Sequence, residues 1–438
     1  MAVAYSWGRL AACEHTAVSL SDAGRAPQQI SAAAGTLGGP GSALPYGMGR
    51  SYGDVCLNPG GRMWHTRGMD RYIRFDEQSG LLECEAGMLL RDIQRLMIPR
   101  GWMLPVVPGT QLITVGGAIA NDVHGKNHHV FGTFGHNVRS LTLARTTGET
   151  FVCDREQNRG LFEATVGGLG LTGLIVRASV QLRRVEGPWL DTEIIPFDDL
   201  QEFFELADTS EAGWEHTVSW IDCLSRVGRG IFMRANHSDR SDWRPPKQGL
   251  LSVPFVPPVS LVNRLTLRPF NTAYYQLQAF KAGRSTAHYI PFFHPLDGIG
   301  NWNRIYGPKG FHQYQCVVPR EGGEQAIQEI LAEIAASGQG SFLAVLKTFG
   351  QKPSEGMLSF PQPGITLALD FPALSGGNES LFQRLDHLVM QAGGRLYPAK
   401  DARMSAEMFA AGYPRLAEFT AWRDPGISSS MSRRLTGI

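Results

Sequence analysis

The segment from Val107 to Asn137 carries the side chains whose types and spacing best suit ligand chemistry. It reads VPGTQLITVGGAIANDVHGKNHHVFGTFGHN, and it combines glycines, small residues and imidazoles without helical or strand periodicity. Because glycine has no Cβ, a glycine-rich backbone can bring its N–H groups close to a pyrophosphate or a flat ring. The segment is therefore predicted to be a loop that wraps closely around a ligand.

Two further glycine clusters flank this segment, at Pro45–Asp54 (PYGMGRSYGD) and Thr165–Gly173 (TVGGLGLTG). The first does not fit the dinucleotide fingerprint GxGxxG, because Tyr52-Gly53-Asp54 leads into the turn-rich CLNPGGR and not into a helix. A nicotinamide-binding Rossmann domain is thus disfavoured. Three clusters, each beside an apolar run, indicate one extended cofactor site shared by several loops.

Composition limits the class of protein. A chain of 438 residues is too long for one core of usual size, so two large domains are expected. The 41 basic and 40 acidic residues are balanced, which gives no electrostatic footprint for nucleic acid. The six cysteines have no CxxC spacing and are predicted to be reduced thiols, not a disulfide framework or a zinc site.

The sequence shows no evident membrane or secretion signal. Its first residues, MAVAYSWGRLAACEHT, lack a basic start followed by an apolar core, and no uncharged apolar run reaches roughly 18 residues. We therefore expect no spanning helix and a cytoplasmic location. Peripheral contact with the inner membrane, and a periplasmic location, are left open.

The coarse pattern predicts an α+β fold. Up to about residue 187, short β-branched runs such as Leu81–Glu85 and Ser140–Ala144 alternate with turns, and Leu89–Met97 is predicted to be a short helix. From about residue 188 the segments lengthen, which indicates a second α+β domain. Its predicted helices and strands are Phe197–Ala207, Gly323–Ala336, Gln313–Val318 and Gly364–Phe371.

The stretch Pro245–Ala282 has an unusual composition. It is rich in proline, apolar and aromatic residues, and its only charges are basic. One interpretation is a buried connector with a strand or two. The other is a mobile lid whose apolar and basic surface touches a membrane and guides a lipid-phosphate substrate inward.

A series of motifs runs in one order from about Gly47 to the C-terminus. The motifs are GxGRSYGD, VPGTxxxTVGGAIAxDxHGKNHHxxGxFG, ATVGGxGLTGxI, FxQYQ at 311–315 and GGRLYxAKDxR at 393–403. This series resembles the decaprenylphosphoryl-β-D-ribose 2-oxidase family, within the vanillyl-alcohol oxidase superfamily of FAD proteins. The resemblance implies a PCMH-type FAD-binding domain at 1–187, completed by 395–438. It also implies a substrate domain at 188–394 with a lid at 245–282.

The resemblance assigns residues to FAD. Those that match the pyrophosphate-binding loop are Gly47, Gly49, Arg50, Ser51, Tyr52 and Gly53; those that match other FAD-lining positions are Gly109, Thr114, Gly116, Gly117, Asn121, His124, Ile175 and Tyr397. Related oxidases that bind flavin covalently carry a histidine where this chain has Arg50. The FAD is therefore predicted to be non-covalent.

The resemblance also implies a substrate pocket. By itself, a lysine in a YPAKDAR segment would be a solvated surface charge, but Lys400 matches the family's lysine over the flavin. Lys400 and His124 are the catalytic candidates; with its pKa lowered by burial, Lys400 could take the hydroxyl proton, or it could anchor the substrate. The other substrate-binding candidates are Lys126, Trp220, Phe293, Gln313, Gln315 and Lys347.

The strand period supports the assignment of the two glutamines, whereas the two aromatic residues have an alternative role. Gln313 and Gln315 lie at strand period two and should point to one face. For Trp220 and Phe293 a packing-only role is left open.

The histidine-rich run also permits a metal-site interpretation, because His124 and His128 have the i, i+4 spacing of helical ligands. The glycines upstream and the lack of a nearby Cys or Glu ligand argue against a helix-borne zinc site. No metal is predicted. His129 is expected to bond a buried backbone group.

The chemistry that the resemblance implies is oxidation of the 2-hydroxyl of a polyprenyl-phosphoryl-β-D-ribose to the 2-keto sugar. In the family, an NADH-dependent short-chain reductase then completes epimerisation to the arabinose donor for cell-envelope glycans. The electrons leave to a quinone or to oxygen. Mycobacterial members have a cysteine and an asparagine where this chain has Ala368 and Thr366, which leaves the pentose and the lipid length open.

Two alternatives remain. One is a soluble sugar or aldonolactone oxidase that resembles D-arabinono-1,4-lactone oxidase, against which the 245–282 segment argues. The other is a non-catalytic flavin-binding subunit for electron transfer, against which intact Lys400, Gln313 and Gln315 argue.

Overall fold

The structure is a computed structural model that describes residues 2–32, 42–245, 251–374 and 377–437. Its strands are β1 (Ala2–Tyr5), β2 (Ala12–Ser19), β3 (Ala43–Tyr46), β4 (Arg62–His65), β5 (Tyr72–Asp76), β6 (Leu81–Glu85), β7 (Trp102–Met103), β8 (Val138–Ala144), β9 (Thr150–Asp154), β10 (Leu174–Gln181), β11 (Arg183–Arg184), β12 (Trp189–Phe197), β13 (His216–Ile221), β14 (Gly230–His237), β15 (Leu251–Ser252), β16 (Gly283–His288), β17 (Ile299–Gly300), β18 (Phe311–Val318), β19 (Ala344–Phe349), β20 (Gly364–Pro372) and β21 (Arg395–Leu396). Its α-helices are α1 (Ala26–Ala32), α2 (Leu90–Met97), α3 (Val115–Ala120), α4 (His128–Phe131), α5 (Arg159–Thr165), α6 (Leu200–Glu211), α7 (Arg264–Phe280), α8 (Tyr289–Phe293), α9 (Gly323–Ser337), α10 (Glu379–Gln391), α11 (Ala406–Gly412), α12 (Leu416–Thr420) and α13 (Ser430–Thr436). The predicted α+β class is confirmed.

Among the described residues, the N-terminal part contains two larger sheets and the two-stranded pair of β7 with β11. One has the order β1-β2-β4-β3, with β2 and β3 both parallel to β4, and the other has the antiparallel order β5-β6-β10-β8-β9. The glycine clusters occupy the connections of these sheets: one follows β3, one contains α3, and one precedes β10. The strands therefore bring the three clusters to one region.

The segment 107–137 is not a loop throughout. It contains α3 and α4, and Thr114 caps α3 because its hydroxyl accepts a hydrogen bond from the Gly117 N–H at 3.1 Å. Two glycines in the first turn lower the intrinsic helix propensity, which is why the sequence pattern concealed this helix. The neighbouring predictions of α2 and β6 are confirmed.

The second large sheet has eight strands in the order β16-β12-β14-β13-β19-β20-β18-β21. Side chains alternate across it, as strand geometry requires. The face that packs into the core against the helices includes Tyr314, Cys316, Leu346, Leu367 and Leu369. The opposite face lines a cavity and includes Gln313, Gln315, Lys347, Thr366, Ala368 and Asp370.

The helices of this part differ from prediction mainly at their ends. Helix α9 agrees with the predicted 323–336 within one residue. The prediction of a helix at Phe197–Ala207 was displaced, because Phe197 ends β12 and Asp199 caps α6 by accepting a hydrogen bond from the Glu202 N–H at 2.9 Å. The cap, not the apolar pattern, sets this helix start.

The C-terminal part returns to the N-terminal sheets after a short detour. Strand β21 pairs with β18 at the edge of the eight-stranded sheet, whereas the sequence split placed residues 395–396 with the FAD domain. Further along the chain, two residues bond to Ala43 in β3. The Ala43 N–H donates to the Gly426 carbonyl at 2.8 Å, and the Ala43 carbonyl accepts from the Ser428 N–H at 3.0 Å. These bonds fix the chain end to β3.

The segment 245–282 contains a feature that neither interpretation included. Residues 246–250 lie outside the described part, but α7 is a 17-residue helix with a capping box between Asn263 and Thr266. Pro269 lies inside α7, and because proline lacks an N–H it normally indicates a helix break. The capping box offsets part of that cost.

Two expectations about the whole chain can be compared with the structure. The six cysteines are unpaired, as predicted. Within the described residues, no helix has the length and apolar character that crossing a bilayer requires.

Candidate active site

A cavity of about 940 Å³ lies between the glycine loops and the eight-stranded sheet. It is at the upper end of the range for small-molecule sites, roughly 300–1,000 Å³. Every residue that the sequence assigned to FAD or substrate lines it, with the exception of Gly53. These lining residues are Gly47, Gly49, Arg50, Ser51, Tyr52, Gly109, Thr114, Gly116, Gly117, Asn121, His124, Lys126, Ile175, Trp220, Phe293, Gln313, Gln315, Lys347, Tyr397 and Lys400.

Gly53 has a different position. A Cβ at this residue would clash with the carbonyl of Asp401, so the glycine allows the loop to pack against the C-terminal segment. Beside it, the Tyr52 N–H donates to the Ala399 carbonyl at 3.0 Å. This contact brings Lys400 over the Tyr52 ring, with Nζ 3.7 Å from the ring centroid.

The loop after β3 is built for close approach to an anion. A Cβ on Gly47 would lie 2.6 Å from Thr114 Oγ1, and Gly49 has φ +58°, a conformation that favours glycine. Within the described residues, the N–H groups of Met48, Gly49 and Arg50 have no hydrogen-bond acceptor. Such a run of free donors suits a diphosphate.

Several polar atoms at the cavity wall lack partners within the protein. Arg50 Nε, Asn121 Oδ1 and Gln313 Oε1 are buried without a hydrogen bond in the described structure. Buried unpaired polar atoms are costly, so a bound polar molecule that satisfies them is expected. Together with the donor loop and the cavity size, these atoms fit FAD. The Arg50 guanidinium is fixed by stacking over the Trp7 ring, 3.9 Å from its centroid.

His124 has both ring nitrogens occupied by protein. The Gln315 amide nitrogen lies 3.1 Å from Nε2, and Lys347 Nζ lies 3.0 Å from Nδ1. Burial, together with the nearby Lys347, holds the pKa of His124 well below its usual range, so the ring is neutral. If the amide donates to Nε2, the ring proton is on Nδ1 and points at a neutral Lys347 amine. His124 is thus held as a connector between Gln315 and Lys347.

The other histidines of this run lie nearby but have separate contacts. His129 Nε2 lies 2.8 Å from the Trp214 carbonyl, so its expected backbone partner is confirmed. His124 and His128 both pack against the Phe349 ring, at centroid distances of 4.9 and 4.6 Å.

Three lysines face the cavity, and burial lowers the pKa of each. Lys126 donates to the Phe292 carbonyl, and burial lowers its pKa to about 7. Lys347 donates to the Gly125 carbonyl at 2.9 Å, and burial lowers its pKa to about 7 as well. Within the described residues, the Lys400 ammonium has no hydrogen-bond acceptor, so it is the lysine left available to a ligand.

Asp370 is a site residue that the sequence analysis missed. It is fully buried, its Oδ1 accepts from Gln313 Nε2 at 2.6 Å, and its Oδ2 accepts from the Tyr306 hydroxyl at 3.4 Å. Burial raises the pKa of Asp370, while Gln313 and the nearby Lys400 oppose that rise. Conversely, burial lowers the pKa of Lys400 and Asp370 opposes it. The two groups form one titrating pair.

The signal for Asp370 was present in the sequence but needed the strand pairing. Its strand reads GITLALDFP, which appears uniformly apolar, and Asp370 pairs directly with Gln313 across β18 and β20. Asp297 was also missed, because its contact joins two segments that are distant in sequence. Its Oδ2 accepts from the Gln111 N–H at 2.9 Å, and burial raises its pKa. Neither contact follows from sequence spacing.

Comparison with known proteins agrees with this geometry. A family profile described as "FAD binding domain" matches residues 29–154. The chain is 37% identical over 449 aligned residues to a decaprenylphosphoryl-beta-D-ribose oxidase of Mycolicibacterium smegmatis, and the match covers 98% of this chain and 96% of that protein. The chain belongs to the decaprenylphosphoryl-β-D-ribose oxidase family.

Other relatives are similar over less of the chain. An uncharacterised protein of Streptomyces coelicolor is 33% identical over 79% of this chain and 99% of its own length. A mouse L-gulonolactone oxidase is 30% identical over 31% of this chain and 30% of its own length. Family membership makes the protein an FAD-dependent oxidoreductase with a PCMH-type FAD-binding domain.

Proposed function

We propose that this protein oxidises the 2-hydroxyl of a polyprenyl-phosphoryl-β-D-ribose to a ketone. The observation that carries the proposal is the Lys400 ammonium without a protein acceptor, beside the buried Asp370 carboxylate that Gln313 contacts. This pair lines the cavity of a family oxidase, where an alcohol proton would be removed. The relative's name supplies the substrate class.

The reaction divides between cofactor and protein. FAD, when bound, accepts the hydride equivalent from the carbon that bears the hydroxyl. Lys400 in its neutral form takes the hydroxyl proton, and burial favours that form by lowering its pKa. Asp370 opposes this decrease in the pKa of Lys400, so its charge stabilises the ammonium that forms when Lys400 takes the hydroxyl proton.

Charge and wall chemistry support a phosphorylated sugar. Lys126, Lys347 and Lys400 bring three amines to the sheet side of the cavity; burial lowers their pKa values to about 7, and an anionic substrate would favour their charged forms. Trp220 and Phe293 supply apolar wall area, and both are buried. Thr366 and Ala368 lie on the same wall, so these two positions are where the pentose is selected.

A Lys400→Met variant tests the proposed proton acceptor. Loss of a general base typically lowers a rate by about 10²–10⁴-fold, so we expect substrate-driven flavin reduction in an anaerobic stopped-flow experiment to slow by that factor. Lys352→Met, at an exposed lysine outside the cavity, is the matched control. Flavin reduction at an unchanged rate in Lys400→Met would remove the assignment.

We further propose that the surface around α7 binds an anionic lipid bilayer. Leu251, Phe255, Leu265 and Phe280 are 71%, 69%, 87% and 90% exposed, which is unusual for large apolar side chains. Between Asp242 and Asp297 the sequence has no acidic residue, while Arg264, Arg268, Lys281 and Arg284 are basic. An apolar surface with only positive charge complements an anionic membrane.

Vesicle sedimentation tests this surface. The protein should sediment with phosphatidylglycerol vesicles more than with phosphatidylcholine vesicles, and a Leu265→Ser/Phe280→Ser double variant should lose that preference. The matched control is Val3→Ser/Val152→Ser, at exposed apolar residues of the N-terminal sheets. Equal sedimentation of all three proteins would contradict the proposal.

We infer that a second enzyme consumes the keto product, because epimerisation needs a reduction that an oxidase does not perform. An NADH-dependent short-chain reductase suits that step. In a coupled assay, NADH consumption should require both proteins and the lipid-linked sugar. Reoxidation rates with a soluble quinone and with oxygen decide between the two acceptors.

A further inference from the structure

Three side chains that no step above uses converge at the start of β13 and the end of β14. They are Glu215, His216 and His237, and they do not line the cavity. Within the described ranges, no other group of three His, Cys, Asp or Glu side chains has its ligand atoms so close together. Glu215 and His237 are 22 positions apart in sequence, and the antiparallel pairing of β13 with β14 brings them together.

The distances match those of a tetrahedral metal site. His216 Nε2 lies 3.0 Å from Glu215 Oε1 and 3.4 Å from His237 Nε2, and His237 Nε2 lies 3.8 Å from Glu215 Oε1. Zinc bonds of about 2.0–2.2 Å at tetrahedral angles place ligand atoms about 3.3–3.5 Å apart. The 3.4 Å distance lies in that range and the other two deviate by about 0.3 Å on either side, so small movements would bring all three atoms onto one ion.

Burial disfavours the charged form of both imidazoles. Burial lowers the pKa of His216, and it lowers the pKa of His237 to about 3, so both imidazoles are neutral. Burial alone would raise the pKa of Glu215, but hydrogen bonds from His216 and Arg183 hold it well below its usual range. His216 Nε2 is the nitrogen that donates to Glu215, so its proton has to move to Nδ1 before Nε2 can bind a cation.

The neighbouring residues orient the carboxylate. Arg183 Nη1 contacts Oε2, Asn127 Nδ2 donates to Oε1 at 3.3 Å, and the Glu215 N–H donates to Asn236 Oδ1 at 2.7 Å. Such outer contacts fix ligand direction in metal sites. Arg183 adds positive charge, which opposes every cation alike, but the site offers only one carboxylate beside two imidazoles. These features disfavour Mg²⁺ and Ca²⁺, which prefer several oxygens, and favour an ion that accepts imidazole.

We propose that Glu215, His216 and His237 bind one Zn²⁺ ion. The ion would stabilise the wall behind the substrate side of the cavity. The His216 ring lies 4.8 Å from the Phe293 ring, and the Thr217 N–H donates to the Lys126 carbonyl at 2.8 Å. Zinc thus ties β13 and β14 to two cavity residues without contact with the reacting atoms, which makes it a structural ion.

Equilibrium dialysis of the FAD-loaded full-length chain against ZnCl₂ tests the site, after treatment with a chelator. Elemental analysis should give one zinc per chain. His237→Ala removes one of three ligands and should weaken zinc binding by at least about 100-fold, since even outer-contact losses cost roughly 10–100-fold. The matched control is His65→Ala, which removes one histidine of another close pair, since His65 Nε2 lies 3.5 Å from His15 Nε2. The zinc stoichiometry of this variant should equal that of the wild type.

The outcomes are separable from loss of folding. FAD content and the thermal midpoint report whether each variant is folded, and His237→Gln replaces His237→Ala if the latter loses FAD. Zinc should raise the thermal midpoint of the wild-type protein and of His65→Ala, but not that of the folded His237 variant. Substoichiometric zinc on the wild type, or equal zinc on the folded His237 variant, would overturn the proposal.

Discussion

The charge of Asp370 should set the pH dependence of flavin reduction. Asp370→Asn keeps the size of the side chain and an oxygen for Gln313 or Tyr306, but it removes the carboxylate that raises the pKa of Lys400. The pKa of Lys400 should therefore fall. Because the neutral amine is the active form, the acidic limb of the rate profile should move to lower pH.

The size of the shift follows from Coulomb's law. Lys400 and Asp370 shift each other's pKa, and opposite charges do so within about 4–6 Å, so we take a separation of about 6 Å. At an effective dielectric constant of about 20, this gives about 2.8 kcal/mol, or about 2 pKa units. Since burial raises the pKa of Asp370 to about 7, so that Asp370 is itself protonated for part of the range, we expect about 1 unit.

The assay is anaerobic stopped-flow reduction of the flavin by substrate, repeated across about pH 5.5–9. Asp191→Asn, at an exposed carboxylate of the same sheet outside the cavity, is the control and should leave the profile in place. An acidic limb that stays in position in Asp370→Asn, or moves to higher pH, would refute the coupling between Asp370 and Lys400.

Three other predictions concern the cofactor and the fold. Gly47→Ala places a Cβ 2.6 Å from Thr114 Oγ1, a clash that costs about 1–3 kcal/mol. FAD binding, followed as FAD retention on gel filtration, should therefore weaken by roughly 10–100-fold. The control Gly213→Ala, whose Cβ meets no atom within 4 Å, should retain FAD. Asp424→Ala leaves Arg145, the Thr146 N–H and the Gly426 N–H without their buried carboxylate. The free energy of unfolding, measured in urea, should therefore fall by about 3 kcal/mol. A decrease of less than about 1 kcal/mol would contradict that role for Asp424. Acid precipitation should release the flavin into the supernatant, because Arg50 replaces the histidine of covalent relatives; a yellow pellet would show a covalent bond.

The local patterns in the sequence predicted where the site lies, and the family resemblance assigned most of its residues. Period two placed Gln313 and Gln315 on one face of β18, and both line the cavity. The glycine clusters were predicted to share one site, and their loops do meet at the cavity. The first prediction holds because strand period depends on neighbours within one element, and the second because each glycine cluster is recognisable by its own local composition.

The features that sequence reasoning missed depend on how distant elements pair. Asp370 reaches Gln313 only through the register of β18 with β20, and Glu215 reaches His237 only through β13 and β14. Gly53 matches a motif, yet its glycine serves packing against Asp401. Helix α7 was missed because Pro269 indicates a break, and only the capping box at Asn263 argues otherwise.

The function proposed for the cavity is oxidation of a lipid-linked ribose. Anaerobic mixing of the purified FAD-loaded protein with polyprenyl-phosphoryl-ribose, followed by the absorbance of the oxidised flavin, tests it most directly. We predict bleaching by that substrate and no bleaching by free ribose or by aldonolactones. A flavin that stays oxidised with the lipid-linked sugar, or that is bleached by a lactone instead, would contradict this function.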